Sequence, residues 1–181
     1  MNTRKQGFTL VELLVVIAII GVLAALILIG IQKARKKASI AATKVFLKNV
    51  ATALETYSKN DYGSAYPTAD DTGKDEGQCQ GIQTVAKMVC SGPNDGGGID
   101  GPYLKDVKGW REFSNNSPLP KGSQVNKYGE LLDRWRKPLH YRSRYAADGV
   151  TENTNVKGAD YDIYSWGPDK KEGGKDDIFY P

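Results

Sequence analysis
A chain of 181 residues with 25 Lys and Arg, 21 Asp and Glu and a single histidine carries a formal charge of only +4. Charges so evenly matched and interspersed exclude a nucleic-acid binder built on a basic patch. One histidine and two cysteines leave a zinc site short of ligands, and no nucleophile motif is present, so the chain reads as a non-enzyme.

Met1 to Gly7 forms a short leader containing Arg4 and Lys5. The stretch that follows, "FTLVELLVVIAIIGVLAALILIGI" (Phe8 to Ile31), carries one charge, Glu12, and the nineteen residues from Leu13 to Ile31 carry none. As a helix those nineteen span about 28 Å, close to the hydrocarbon thickness of a bilayer. A secretory signal would have a shorter apolar region ending in a small-residue cleavage site, whereas Ala24 and Ala25 lie inside this run. The expectation is a transmembrane helix over 8–31. A charge within such a helix costs about 2.5–3.5 kcal/mol on insertion scales, less near the end of the span, so Glu12 calls for a cationic partner.

No proline occurs before Pro67, and the spacing predicts that the helix continues to about residue 60. Past Ile31 the pattern turns amphipathic: Ala38, Ala42, Phe46, Val50, Leu54 and Tyr57 recur at intervals of four and three on one face. Lys33, Arg35, Lys36 and Lys37 mark the exit from the membrane, where long basic side chains reach toward the headgroups. The expected organisation is a leader over 1–7, a membrane helix over 8–31, an amphipathic helix over 32–60 and a globular domain over 61–181.

In that domain, Tyr62 to Gly101 reads as loop, interrupted by a helical island, "IQTVAKMVC" (Ile82 to Cys90). Outside a reducing compartment Cys79 and Cys90 would pair, with a loop-closure stabilisation of about 3 kcal/mol; two separately buried thiols are the alternative. "GPNDGGGIDGP" (Gly92 to Pro102) lacks the Gly-Lys-Ser/Thr ending of a phosphate loop and reads as a turn-rich connector. Asp100, Asp106 and Glu112 read as a solvated loop. Strand alternation appears late, in "PLHYRSRY" (Pro138 to Tyr145) and "DYDIYSW" (Asp160 to Trp166). It assigns the aromatics of "WRKPLHYRSRY" to a core and not to stacked bases. An antiparallel strand pair packed on the amphipathic helix gives an α+β fold. Finally, "WGPDKKEGGKDDI" gathers Asp169, Asp176 and Asp177 within nine residues, a pattern that does not fit the EF-hand template. Taken alone, it reads as a solvated acidic loop.

Three stretches carry a resemblance. "GFTLVE" (Gly7 to Glu12) looks like the class III leader junction of type IV pilin-like proteins. "DRWRKPLHY" (Asp133 to Tyr141) resembles the Asp-x-Trp-x-x-Pro-x-x-Tyr core of the major pseudopilins of type II secretion, and "YDIYSWGPDKKEGGKDDI" (Tyr161 to Ile178) resembles their last strand and calcium loop. The resemblance implies cleavage by prepilin peptidase between Gly7 and Phe8, methylation of the Phe8 amine, and pairing of Glu12 with that amine on a neighbouring subunit. It implies Ca2+ held by side chains of Asp169, Asp176 and Asp177 and main-chain carbonyls of Trp166 and Lys171. The pairing of Cys79 with Cys90 comes from the cysteine count and not from the resemblance, and is expected once the domain reaches the periplasm. The implied protein is a bacterial inner-membrane, single-pass subunit with a periplasmic domain. It would polymerise with itself and with minor pseudopilins on an inner-membrane assembly platform to export folded proteins; the alternative is a type IV pilus pilin serving adhesion, motility or DNA uptake. The sequence departs from the pattern at Arg134 and Arg136, which replace the proline and glycine of Asp-Pro-Trp-Gly. It departs again in its long segment from Tyr62 to Lys127 and in its cysteines.

Overall fold
The structure is a computed structural model that describes residues 9–61, 66–68, 75–92, 101–145 and 150–180. In chain order it contains α1 (Leu10–Asp61), α2 (Gln80–Cys90), α3 (Trp110–Ser114), β1 (His140–Ser143), β2 (Tyr161–Ser165) and β3 (Ile178–Tyr180). The chain forms two compact units, Met1–Ala38 and Ser39–Pro181.

In the first unit α1 is long and apolar enough to cross a membrane, and none of its apolar window is buried by the rest of the chain. Leu13, Leu14, Val15 and Val16, which at about 100° per residue point in different directions around the helix, are all exposed.

The second unit contains the core. There α1 buries Leu47, Val50, Ala51, Leu54 and Tyr57. Spacings of four and three keep the principal positions on one stripe. The expected stripe is corrected at its start: Ala38 and Ala42 are exposed, and Thr43 takes the buried position one turn before Leu47. The expected helical island is α2, which buries Ile82, Val85, Ala86 and Val89 at the same helical spacing.

The α+β expectation holds. β1 and β2 pair antiparallel with Tyr141 opposite Ile163, and both of these side chains are fully buried. The sheet has three strands in the order β1-β2-β3, one more than the sequence pattern shows. β3 pairs antiparallel with β2 through only three residues, too few to display alternation. The sheet and α2 close over Leu47, Val50 and Leu54 as one hydrophobic cluster.

Candidate functional site
Gly7 and Phe8 lie outside the described residues. Two residues beyond the expected cut, the start of α1 is held by a reciprocal pair. The Thr9 backbone N–H and hydroxyl both donate to Glu12 Oε2, at 2.8 and 2.7 Å, and the Glu12 N–H donates to Thr9 Oγ1 at 3.3 Å. This is a capping box, and the Thr-x-x-Glu pattern that signals it stands in the sequence. In lipid, where no water is available to helix ends, satisfying these groups matters more than it does in solution. Glu12 thus has a structural task that the resemblance did not supply. Its described bonds all fall on Oε2, so Oε1 remains open to a cation.

At the other end of the chain, Trp166 leads from β2 into a single 3-10 turn, Gly167–Asp169. Gly167 adopts φ +71°, and a Cβ there would lie 2.1 Å from the Asp176 carbonyl oxygen, so only glycine lets the two arms of the loop close at this neck. The carboxylates then fold inward. Asp169 Oδ1 accepts the Lys171 N–H at 2.9 Å, Asp176 Oδ2 accepts the Asp169 N–H at 3.1 Å, and Asp177 Oδ2 accepts the Gly173 N–H at 2.8 Å. Asp169 and Asp176 converge on one spot beside Gly174, where a Cβ would stand 3.0 and 2.8 Å from their oxygens. Asp177 Oδ1 is buried without a hydrogen-bond partner among the described residues. Burial raises the Asp177 pKa, and the negative charges of Asp169, Asp176 and Glu172 raise it further.

Among the described residues no three His, Cys, Asp or Glu side chains are arranged as a metal-binding group. The loop nevertheless draws three anionic groups together and leaves one buried oxygen unsatisfied, and an all-oxygen donor set of this kind suits calcium. Of the two expected carbonyl donors, Lys171 enters the described bonds through its N–H. The indole of Trp166 stacks on His140 with ring centroids 4.3 Å apart.

Asp133 joins the two resembled stretches. Its Oδ1 accepts the N–H groups of Trp135 and Lys137 at 2.8 and 2.9 Å, and its Oδ2 accepts the Ser165 hydroxyl at 2.7 Å. Burial raises its pKa, against the lowering pull of these hydrogen bonds. Tyr141 donates its hydroxyl proton to the Pro67 carbonyl at 2.7 Å from a fully buried position, which makes this tyrosine part of the core.

The expected disulfide is corrected. Cys79 and Cys90 are both buried and are not joined by a disulfide, and they stand at opposite ends of α2, with Cys79 as its N-cap and Cys90 as its last residue. Eleven residues of helix separate them by about 16 Å, whereas a disulfide needs Cα atoms about 4.4–6.8 Å apart. Cys79 Sγ instead lies 3.7 Å from His140 Nδ1, and burial pushes the Cys90 thiol up to about 12.

One residue was missed altogether. Glu130 is fully buried, and its Oε1 accepts the N–H groups of Gly77 and Cys79 at 2.8 and 3.0 Å and the Gln83 amide at 3.2 Å. Asn126 donates to its other oxygen. The Cys79 side chain makes no cap bond, so Glu130 supplies the negative charge at the α2 N-terminus from 51 residues away. No local pattern in the sequence could have announced it.

Comparison with known proteins bears on both ends of the chain. Residues 2–28 match the family described as the prokaryotic N-terminal methylation motif. The type II secretion system core protein G of Pseudomonas aeruginosa is 29% identical over 177 residues, covering 97% of this chain and 93% of that protein. Its namesake in Escherichia coli K12 is 27% identical over 97% of this chain and 90% of its own length. A fimbrial protein of Neisseria meningitidis serogroup B is 38% identical over 90% of this chain and 84% of its own. No solved structure matches.

Proposed function
This chain belongs to the type IV pilin-like family, and from that premise we propose that it is a structural subunit of a type II secretion pseudopilus, not an enzyme. One observation carries the reading. The first half of α1 exposes apolar side chains in every direction and is headed by a single carboxylate, Glu12. A helix that is hydrophobic all round must be covered by lipid or by other protein. A filament subunit uses both in turn: lipid while stored as a monomer in the inner membrane, and the same helices of neighbouring copies once assembled in the periplasm. In the filament Glu12, already held by Thr9, takes the methylated amine of Phe8 from an adjacent copy, exposed by prepilin peptidase after Gly7. Near-full-length similarity to core protein G supports the secretion assignment over a pilus.

The C-terminal loop belongs to the same reading. Asp169, Asp176 and Asp177 hold Ca2+ with help from the carbonyls of Trp166 and Lys171. The ion supplies positive charge where the loop otherwise concentrates negative charge. The chain's own part is to close the neck at Gly167 and to keep Asp177 inward, so that β3 is fixed beside β2.

The higher identity to the meningococcal fimbrial protein favours a second reading, a type IV pilus pilin. Deletion of this subunit with complementation separates the two. Loss and restoration of exoprotein release, without long surface filaments by electron microscopy, supports the pseudopilus. Loss of surface pili with normal secretion overturns it.

A further inference from the structure
A cleft of about 190 Å3 opens beside α1 in the second unit, walled by Ala42, Thr43 and Phe46 on one side and by Leu132 and Asp133 on the other. Three features set it apart. First, Thr43 is 2% exposed, and its Oγ1 is buried with no hydrogen-bond partner among the described residues. Leaving a buried hydroxyl unpaired is costly, so such a group is normally completed by something else. Second, two exposed arginines, Arg134 and Arg136, line the same cleft. Arg134 has no ion-pair partner among the described residues, and Arg136 uses Nη1 on the Ser123 carbonyl and keeps its remaining donors. Third, Arg136 adopts φ +66°, a left-handed conformation in which a side chain is strained and glycine is not. Strain retained at a charged residue is an observation from which a functional role can be inferred.

The charges select the ligand. Two guanidiniums line the cleft with one carboxylate, Asp133, whose two oxygens already accept three hydrogen bonds from Trp135, Lys137 and Ser165. The cleft is therefore net positive, with planar N–H forks and a hydroxyl as donors, the donor set that matches a carboxylate or phosphate. We propose that the cleft between Thr43 and the Arg134–Arg136 turn binds a compact oxyanion. The anion is either free phosphate or a carboxylate side chain of an adjacent copy. The second source rests on the filament reading given above.

The test uses the full chain in detergent, titrated calorimetrically with inorganic phosphate at low salt, alongside Arg136→Gly and Arg134→Gln. Glycine relieves the strain at position 136, so Arg136→Gly should melt no lower than the parent, and a loss of binding then reports the guanidinium and not misfolding. Phosphate binding that weakens about tenfold or more in each variant supports a free-anion site. No phosphate binding, combined with reduced filament yield from both variants at unchanged Tm, supports the adjacent copy's carboxylate as the source. No phosphate binding with variant filaments at parental yield overturns the proposal. If the parent chain forms no filament at all, the filament reading fails by itself and the phosphate titration alone decides the cleft, absence of binding then overturning it.

Discussion
The two halves of α1 are built from similar residues and meet opposite fates. Between Leu10 and Leu28 the large apolar side chains are exposed, whereas Leu47, Val50 and Leu54 are fully buried. The difference lies in arrangement. The second half gathers most of its large apolar residues on one stripe, with Val45 the exposed exception, and the chain supplies α2 and the sheet to cover that stripe. The first half is apolar all round, which no small domain folded on one side could cover. Within one helix, burial by the same chain and burial by other molecules are thus written as two different periodicities.

That contrast is broken most severely at Glu12. Glu12→Ala should still insert, since it removes a charge, but it loses both the capping box and the attraction for a neighbouring amine. We expect filament yield to fall close to background while membrane content is unchanged. Yield equal to the parent's would show that the carboxylate has no part in assembly. Glu12→Gln sharpens the result: it can keep the bonds to Thr9 and lacks the charge, so helix capping and charge pairing separate.

The next effect falls in the second unit, at Glu130. Glu130→Ala strips the N–H groups of Gly77 and Cys79 and the amides of Gln83 and Asn126 of their shared acceptor in a buried site. Leaving a buried neutral donor without its acceptor costs about 1–3 kcal/mol. The urea midpoint should fall sharply, with no change in membrane insertion. A shift under about 0.5 kcal/mol, typical of an unremarkable surface site, would show that α2 is held by its apolar face alone.

These two residues also mark how far the sequence could be read. α1, its change of character after Ile31, the helical island and the first two strands were legible, because each rests on periodicity within a short window. Glu12 was legible as a charge out of place, and its Thr9 partner was available in the Thr-x-x-Glu spacing. Glu130 was not legible, since all its partners but Asn126 lie about fifty residues away. The same holds for β3, which is defined by its pairing with β2 and not by its own three residues. The disulfide failed for a geometric reason: a helix between two cysteines sets their distance, and sequence separation alone does not.

A smaller effect is expected at the C-terminal loop, where pH supplies the probe. Burial and neighbouring carboxylates raise the Asp177 pKa above its unfolded value. A raised carboxyl contributes stability while protonated, and that contribution is lost as pH rises through its folded value. Without calcium, the loop's share of stability should therefore decline from about pH 4 upward, using the ordinary carboxyl range as the lower reference. Added calcium should raise Tm at pH 7 and reduce the decline, because bound cation charge replaces the proton. Asp177→Asn should flatten the profile and remove part of the calcium response. An identical Tm with calcium and with chelator at pH 7 would exclude the ion from this loop.

The smallest effect, and the one that bears on the expected disulfide, is at Cys79 and Cys90. Both thiols are buried at opposite ends of α2, so neither can reach the other while α2 exists. Reductant should leave Tm unchanged, and intact mass after denaturing alkylation without reduction should show two labels. Under native conditions labelling should be slow. The thiolate is the reactive form, and burial holds the Cys90 thiol at about 12, which leaves it neutral through the physiological range. The sign fixes the pH dependence as well. A raised thiol pKa stabilises the fold while the proton stays on, and that stability is lost only as pH rises from the ordinary thiol range through about 12. Native labelling that accelerates between pH 7 and pH 8 as fast as a free thiol's would mean that α2 opens readily at its C-terminal end. The buried face Ile82, Val85 and Val89 would then be less tightly held than its packing indicates. Loss of both labels, restored by reductant, would require α2 to be absent altogether.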